Sequence, residues 1–420
     1  MRVYLTTLGC KLNQSEVEGW ARRLAAAGCD IVENPANADL CIINTCTVTH
    51  VAARKSRQRV RRCNRANPEA KTIVTGCFAE ISPSEAAQLP GVNVVLGTAG
   101  KEHLVETVAD WFGLQGPKTT GTLQRVLSVH TRAFVKIQDG CDNACTYCIV
   151  RIARGPQRSR PIPAVLDEIL ARQAEGYQEI VLTGVHIGAY GRERGETLAG
   201  LVGEILAHTR FPRLRLSSVE PWDLSPDLLQ LWKDQRLCRH LHLPLQSGCD
   251  ATLERMNRRY TAAQYRDLVH SARAAIPNLA VTTDVIVGFP GEDEQEFAAS
   301  AELVASLDFA RIHVFPFSAR PGTAAASMPD RVSPQAKKAR GEQIGALARQ
   351  SAKTFQRRFL GRTLDVLWER KKTGQWNGLT DNYIRVWVTS LQNLANRILP
   401  ARLMEWTSQG LRGELAENDN

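Results

Sequence analysis

The chain has no long apolar run and no N-terminal signal segment, since residues 1–8 lead directly into a short strand pattern. The first absence argues against a transmembrane helix, and the second against a secreted protein. We therefore expect a cytoplasmic protein with no membrane partner. The sequence also contains no convincing internal repeat or low-complexity segment, which leaves ordinary globular domains. Its 420 residues are enough for two or three of them.

The charge of the chain is unbalanced, because 53 Lys and Arg residues outnumber 43 Asp and Glu residues. The resulting net charge of +10 suits a polyanionic partner, but an ordinary basic surface explains it equally well. Eleven cysteines, an odd number, stand in a chain without a secretory signal. This favours metal or redox chemistry over a disulfide framework.

Three of the cysteines are closely spaced, as Cys141, Cys145 and Cys148 form a C-x₃-C-x₂-C pattern after the apolar segment 134–137. Three thiolates at this spacing can hold three irons of a [4Fe–4S] cube. No fourth cysteine follows at ferredoxin spacing, so one iron would be open to a ligand from outside the protein. The alternatives are an incomplete zinc knuckle and three unrelated core thiols. Zinc is disfavoured because no second ligand pair lies nearby.

The same pattern, with Tyr147 just before its last cysteine, resembles the signature of the radical S-adenosylmethionine (SAM) superfamily. The resemblance implies that the amino and carboxylate groups of SAM occupy the open iron. It also implies that an electron from the cluster breaks a C–S bond of SAM to give a 5′-deoxyadenosyl radical. The motif does not name a substrate.

Residues 1–112 alternate buried-strand and amphipathic-helix patterns, which predicts a doubly wound parallel sheet. The predicted strands are 3–8, 40–44, 72–75 and 92–96, and the predicted helices are 14–27, 51–64, 83–88 and 101–112. Cys10, Cys46 and Cys77 each follow one of the first three strands. Open α/β sheets bind ligands at that edge, so these thiols can converge there. Their linear spacing is no metal motif, and three separate thiols remain the alternative.

The sequence around these cysteines resembles the N-terminal domain of the methylthiotransferases. The matching segments are Thr7-Leu8-Gly9-Cys10-Lys11-Leu12-Asn13-Gln14, Asn44-Thr45-Cys46-Thr47-Val48-Thr49 and Thr75-Gly76-Cys77. The resemblance implies that Cys10, Cys46 and Cys77 bind a second [4Fe–4S] cluster, whose open iron carries the sulfur to be transferred. With both motifs the chain is identified as a member of the radical SAM methylthiotransferase family. The family implies two [4Fe–4S] clusters and SAM as cofactors, and the six cysteines as catalytic metal ligands.

Within the family, four segments resemble the branch that acts on N6-threonylcarbamoyladenosine of tRNA: Cys10-Lys11-Leu12-Asn13-Gln14, Asn44-Thr45-Cys46-Thr47-Val48-Thr49, Lys55-Ser56-Arg57-Gln58 and Gly140-Cys141-Asp142-Asn143-Ala144-Cys145. The implied product carries a methylthio group on C2 of the adenine at tRNA position 37. The alternatives are the branches that modify isopentenyladenosine or a ribosomal protein. A radical enzyme with an auxiliary electron-transfer cluster and a non-catalytic RNA-binding iron–sulfur sensor also stay open. The family reading implies the tRNA anticodon stem-loop and a flavodoxin or ferredoxin as partners, and we expect a monomer.

From residue 131 to about 340, strand and helix patterns alternate again. The predicted strands are 133–138, 179–183, 213–217, 240–243, 281–287 and 310–314, and the predicted helices are 163–174, 198–208, 226–233, 262–275 and 293–307. Six strands with helices between them predict an incomplete parallel (β/α)6 barrel with its working residues at the strand C-termini. In the superfamily such strand ends contact SAM, and the resemblance assigns this role to Thr183, Gly184, Glu220, Gln246 and Ser247.

The other histidines and cysteines of this pattern are expected to be structural. His186 and His242 are predicted to be hydrogen-bonded or packed rather than ligands. The cysteines outside the two sets are predicted to be small buried or structural residues: Cys29, Cys41, Cys63, Cys238 and Cys249.

Two basic segments have competing interpretations. Residues 54–62 form a dense Lys/Arg run on a predicted helix, and four arginines follow the cluster loop at Arg151, Arg154, Arg158 and Arg160. Either set can be a solvated face or a phosphate contact for RNA. The predicted family favours RNA.

After a long polar helix at 332–358, strands predicted at 363–368, 383–388 and 397–404 suggest a small antiparallel β-barrel. In position and size it resembles the RNA-binding TRAM domain. Trp368, Trp376 and Tyr383 are candidates for stacking on bases, although core packing is the commoner role. The predicted units are a methylthiotransferase domain at 1–112, a linker at 113–128, a radical SAM core at 129–358 and a TRAM-like domain at 359–415.

Overall fold

The fold is taken from a computed structural model that describes residues 1–113 and 131–416. Apart from Gly113, the predicted linker lies outside the described residues. In the described part of the chain, no helix is both long and apolar enough to cross a membrane.

The N-terminal unit is a five-stranded parallel sheet in the order β2-β1-β3-β4-β5. Its strands are β1 (Arg2–Thr7), β2 (Asp30–Val32), β3 (Leu40–Thr45), β4 (Lys71–Gly76) and β5 (Val92–Leu96). Its helices are α1 (Lys11–Ala26), α2 (His50–Ala66), α3 (Cys77–Ile81), α4 (Pro83–Ala87) and α5 (Leu104–Phe112). The four predicted strands and their helices are confirmed, while β2 and α3 are additional.

The sheet is doubly wound because helices cover both of its faces. Leu24 of α1 and Val108 of α5 pack with Ile42 on one face, whereas Val60 of α2 and Phe78 of α3 pack on the other. All six residues of β3 are buried as a result. Parallel strands covered on both faces are apolar over most of their length, as the first four residues of β3, Leu40-Cys41-Ile42-Ile43, are.

The central unit is an incomplete barrel of six parallel strands, as predicted. Two three-stranded sheets, β10-β9-β6 and β11-β12-β13, meet through a bridge between Ser218 and His242. The strands are β6 (Arg132–Lys136), β9 (Glu179–Thr183), β10 (Arg213–Leu216), β11 (His240–His242), β12 (Ala280–Val287) and β13 (Arg311–Pro316). A short hairpin, β7 (Gln138–Asp139) with β8 (Arg158–Ser159), flanks the cluster loop. The helices are α6 (Val150–Arg154), α7 (Ile162–Ala174), α8 (Leu198–His208), α9 (Pro226–Gln230), α10 (Asp250–Arg255), α11 (Ala262–Ala275) and α12 (Glu294–Ser306).

The C-terminal unit is a closed five-stranded barrel that follows the long helix α13 (Pro334–Arg357). Its strands are β14 (Thr363–Lys372), β15 (Gln375–Thr380), β16 (Arg385–Val388), β17 (Ile398–Thr407) and β18 (Gly410–Leu415). Trp368 and Trp376 are buried in its core, which supports packing over stacking on bases. Tyr383 stacks instead on His240 of the central unit, with ring centroids 4.6 Å apart.

The two barrels are joined by a buried ion cluster around Glu179, at the start of β9. Its carboxylate accepts from Arg215 Nε at 2.7 Å and lies 3.0 Å from Arg132 Nε. Arg215 also donates to the carbonyl of Asp381 at 2.8 Å, and Arg132 pairs with Glu369 of the C-terminal barrel at 2.5 Å. Burial alone would raise the pKa of Glu179, but the arginines outweigh it and lower the pKa to about 2.

We predict that Glu179→Gln destabilises the protein at pH 7 by about 3 kcal/mol, because it leaves buried guanidinium groups without their counter-charge. The native carboxylate has a lowered pKa, so its contribution is complete above the unfolded value of about 4.3 and declines as the pH falls towards 2. The difference between the two proteins should therefore shrink below pH ~4. Denaturant unfolding at several pH values measures it, with exposed Glu204→Gln as control. Equal stability at pH 7 would contradict the prediction.

Candidate functional site

The first set of thiols is presented by one tight loop, residues 140–148, after β7. Gly140 has φ +70°, and a Cβ there would lie 1.9 Å from the carbonyl oxygen of Pro156, so only glycine fits. The N–H of Cys141 donates to the carbonyl of Gly155 at 3.1 Å, and that of Cys148 donates to the carbonyl of Cys145 at 3.1 Å. These bonds fold the loop so that Cys141 lies close enough for its charge to act on Cys145 and Cys148.

Polar and cationic side chains flank this set. Arg258 Nη1 lies 3.6 Å from the sulfur of Cys145, and His186 Nδ1 lies 3.8 Å from that of Cys141. Burial raises the pKa of Cys145 while Arg258 opposes it, and burial raises the pKa of Cys148 to about 12. Without a metal, Cys145 and Cys148 therefore keep their protons at neutral pH, and metal binding would displace them.

The second set of thiols also converges. Cys10, Cys46 and Cys77 follow β1, β3 and β4. Burial raises the pKa of Cys46 to about 11, and a charge on Cys77 adds to this effect. A charge on Cys77 also acts on Cys10, which is exposed at the edge of the sheet. The first two loops touch at Gly9, where a Cβ would lie 3.0 Å from the sulfur of Cys46. The sequence could place these three thiols only at the same edge of the sheet. In the structure they lie together at that edge.

Asn13, in the matched segment around Cys10, has a structural role. Its side-chain N–H₂ donates to the carbonyl of Leu8 at 2.8 Å and to that of Thr45 at 3.2 Å. These carbonyls stand just before the loops that carry Cys10 and Cys46. Asn13 therefore fixes the separation of the two loops.

Arg154, at the end of α6, reaches from the cluster loop of the central unit to the second thiol set. Its Nη1 pairs with Glu16 of α1 at 3.0 Å and with Asp139 at 2.9 Å, and its Nη2 donates to Asn13. Lys101 also pairs with Glu16, at 2.7 Å. Arg154 is only 3% exposed. The interpretation of Arg154 as a phosphate contact or a loop edge is therefore wrong, because its guanidinium is buried between the two units.

A cavity of about 210 Å³ is lined by Cys148 of the first set and by residues that follow Cys46 of the second set. The loop after Cys46 contributes Val48 and Thr49, and the cluster loop contributes Tyr147 and Cys148. The barrel contributes Gln246, Asp284, Ile286 and the segment 315–318. A small group in this cavity would touch parts of the chain that adjoin both thiol sets.

The five predicted SAM contacts lie around this region in different environments. Gln246 lines the cavity in a left-handed conformation, with φ 64°. Glu220 pairs with Arg258 at 2.5 Å, and the Ser247 hydroxyl lies 2.9 Å from that of Ser300. Thr183 and Ser247 are buried.

Gly184 is explained by packing within the protein. A Cβ there would lie 2.9 Å from the carbonyl oxygen of Gln138 and 2.8 Å from Ile187. Close approach of a ligand is thus not needed to account for the glycine. The ligand contacts of all five residues stay predictions.

Sequence reasoning missed a polar row on three neighbouring strands. His242, Asp284 and His313 have ligand atoms within 4.8 Å of one another. Asp284 lies 3.4 Å from His242 Nε2 and 3.1 Å from His313 Nδ1, and it lines the cavity. The sequence of β12 carried a signal for this polar row, because Thr282 and Asp284 are two residues apart and so lie on the same face of the strand. His186 and His242 are hydrogen-bonded, as predicted, to Asp223 and Thr282 respectively.

Both thiol sets fit the ligand requirements of iron–sulfur clusters. Each offers three soft sulfur donors from loops at strand ends, and each adjoins a buried guanidinium, that of Arg258 beside Cys145 in one case and that of Arg154 near Cys10 in the other. In the described residues neither set includes a fourth cysteine.

Two family models match the chain. Residues 2–97 match the uncharacterized protein family UPF0004, and residues 135–304 match the radical SAM superfamily. The fold and the first thiol set thus define a radical SAM protein. A solved radical SAM methyltransferase, TsrM from Kitasatospora setae with a [4Fe-4S] cluster and cobalamin bound, has the same fold, with TM-score 0.56, 16% identity and coverage of 77% of this chain and 74% of that one.

Curated relatives narrow the class. The chain is 36% identical to threonylcarbamoyladenosine tRNA methylthiotransferase MtaB of Bacillus subtilis, over 95% of this chain and 93% of the relative. It is 38% identical to the protein of the same name in Thermotoga maritima, over 89% and 86%. It is 33% identical to tRNA-2-methylthio-N(6)-dimethylallyladenosine synthase of Syntrophotalea carbinolica, over 95% and 96%. The chain belongs to the radical SAM methylthiotransferase family.

We predict that the reconstituted protein holds about eight irons, and that Cys10→Ala/Cys46→Ala/Cys77→Ala holds about four, because each cysteine set binds one cube. Anaerobic iron and sulfide analysis with Mössbauer spectroscopy measures both proteins. Cys29→Ala, which removes a buried thiol outside the sets, is the matched control and should keep all the iron. About four irons in both the native protein and the triple variant would contradict a second cluster.

Proposed function

We propose that the protein transfers a methylthio group to C2 of N6-threonylcarbamoyladenosine at position 37 of tRNA. The observation that carries the proposal is the cavity bounded on one side by Cys148 and on the other by the loop of Cys46. A transfer reaction needs its acceptor between a site of radical formation and a site that holds sulfur. Relatives named for this tRNA reaction match the chain over nearly its whole length.

The proposed cofactors are SAM and two [4Fe–4S] clusters, one held by Cys10, Cys46 and Cys77 and the other by Cys141, Cys145 and Cys148. When bound, they supply radical formation from one SAM molecule and a sulfur methylated by another. An aromatic C–H bond is too strong and too weakly acidic for side-chain bases, so the hard step belongs to the cofactors. The protein must bind, orient and shield the acceptor.

The walls of the cavity suit an unpaired base. Ile286 and Phe315 supply apolar surface on which a splayed-out base of an anticodon loop can stack. Asp284, held between His242 and His313, supplies an acceptor for N–H groups of the base. Burial alone would raise the pKa of Asp284, but its two histidine neighbours lower it, so it is ionised at neutral pH.

Helix α2 offers a path for the RNA backbone away from the cavity. Val48 and Thr49 line the cavity, and α2 begins at the next residue, His50. Arg54, Lys55, Arg61 and Arg62 are exposed on it, whereas Arg57 pairs with Glu85 and Arg59 donates to Thr6. Exposed cations along a helix that starts at the cavity favour phosphate contacts over a merely solvated face.

The remaining partners follow from this function. A reduced flavodoxin or ferredoxin supplies the electrons, the tRNA anticodon stem-loop is the substrate, and the protein acts as a cytoplasmic monomer. The unit boundaries at 112, 128 and 358 belong to the same proposal, with the C-terminal barrel as a TRAM-like RNA-binding module.

We predict that the protein with SAM and a reductant converts N6-threonylcarbamoyladenosine in tRNA to its 2-methylthio form, measured by mass spectrometry of nucleosides. Cys148→Ala should abolish the product, because it removes a ligand of the SAM-cleaving cluster, whereas Cys249→Ala should retain it. Modification of isopentenyladenosine tRNA instead would move the protein to another branch of the family. RNA binding without SAM cleavage would identify a sensor.

We also predict that Arg54→Gln/Lys55→Gln weakens tRNA binding and raises KM while kcat stays close to native, because phosphate contacts act on ground-state binding. The slope of log K against log salt is negative, and it should become shallower by about 1.5 units because two phosphate contacts are lost. The matched control is Arg266→Gln, an exposed arginine of α11. An unchanged salt slope would show that this part of α2 is a solvated face.

A further inference from the structure

Arg320, from the segment after β13, is buried beside the second thiol set. Its side chain crosses from the central unit to the loop 46–49 of the N-terminal unit. Nη2 donates to the hydroxyl of Thr47 at 2.7 Å, and Nη1 lies 3.1 Å from His50 Nδ1. Thr47 directly follows Cys46, so the guanidinium grips the loop that carries this thiol.

The hydrogen-bond partners of Arg320 are neutral. His50 Nε2 lies 2.9 Å from the carbonyl of Ala319, to which it donates. The other ring nitrogen then accepts from Arg320, which fixes a neutral imidazole. The third nitrogen of the guanidinium, Arg320 Nε, is buried and has no hydrogen-bond partner among the described residues.

A buried guanidinium without a counter-charge is strongly unfavourable, and arginine does not escape this by losing its proton. Arg320 is 6% exposed. In the described part of the chain, no carboxylate is among the charges that act on it. Burial lowers the pKa of Arg320, and the Cys46 thiolate is the anion that raises it.

Other buried arginines near the thiols differ from Arg320 in this respect. Arg154 is paired with Glu16 and Asp139, and Arg258 is paired with Glu220. Their positive charges are largely matched within the polypeptide. The positive charge of Arg320 is not matched by a carboxylate in this way. It therefore makes the surroundings of the second thiol set more positive.

We propose that Arg320 is a positioning residue for the sulfur-carrying cluster, matching the negative charge held at Cys10, Cys46 and Cys77 and fixing the Cys46 loop. The inference rests on the proposed function, because it requires the second cluster. A fixed positive charge stabilises the more negative, reduced state of a cluster and so raises its reduction potential. Hydrogen bonding through Thr47 also holds the Cys46 ligand in place.

The test isolates the second cluster in the full-length chain carrying Cys141→Ala/Cys145→Ala/Cys148→Ala. In this parent, a redox titration followed by electron paramagnetic resonance reports the remaining cluster alone. Arg320→Gln keeps hydrogen-bond donors but removes the charge, and it should shift the midpoint potential downwards. Arg320→Lys should stay close to the parent. Arg331→Gln, an exposed arginine of the same segment, is the matched control and should cause no shift.

Each outcome has a distinct meaning. If the parent binds no iron, both the proposed function and this inference are wrong. A parent with a cluster whose potential is the same in Arg320→Gln sinks the inference alone. If that unchanged potential accompanies weaker tRNA binding of Arg320→Gln in the otherwise native enzyme, the guanidinium binds a substrate anion instead.

Loss of the cluster in folded Arg320→Gln but not in Arg320→Lys supports a charge requirement. Its loss in both folded variants contradicts that requirement, because lysine keeps the charge. Thr47→Val provides a second measurement should Arg320→Gln fail to fold. It removes the hydrogen bond that places the guanidinium, and it should shift the potential in the same downward direction. An unchanged potential in Thr47→Val would contradict the placement of the charge.

Discussion

The buried network of Glu16, Arg154 and Asp139 fixes how the two thiol sets face each other. Glu16 lies on the helix that begins after Cys10, whereas Arg154 ends the helix that begins after Cys148. All three charges are buried, so separating one of them from the others would leave an uncompensated ion inside the protein. The network therefore ties the helix that follows Cys10 to the helix that follows Cys148.

The same network explains why the motifs around the cysteines contain residues that would not bind a cofactor themselves. Asn13 and Asn44 carry no sulfur, yet both bond to the network or to the loops beside it: Asn13 accepts from Arg154, and Asn44 donates to Glu16 at 2.9 Å. A change at either position would move the ligand loops rather than remove a ligand. Motif residues around metal sites commonly act this way, by holding the first ligands in place.

Much of the architecture was predictable because its signals are local. Buried strands such as Leu40–Thr45 begin with a continuous apolar run, here Leu40-Cys41-Ile42-Ile43, and the carboxyl ends of such strands identify the edge where Cys10 and Cys46 meet. The strands of the C-terminal barrel were harder to predict. Gln375–Thr380 and Gly410–Leu415 contain glycines where strands approach closely: a Cβ at Gly378 would lie 2.5 Å from the carbonyl oxygen of Leu367. Glycine weakens a strand pattern while permitting the contact that closes the barrel.

Long-range electrostatics could not be predicted from the sequence at all. Arg154 and Arg320 look like ordinary basic loop residues, and only the fold shows that both are buried against the second thiol set. Both come from the central unit, so the N-terminal unit alone would present its thiols without these charges. Buried cations on the partner unit thus complete the environment of the second set only when the units dock. This arrangement couples the charge balance of one site to the geometry of the other, and it ties sulfur chemistry to the presence of the radical-forming barrel.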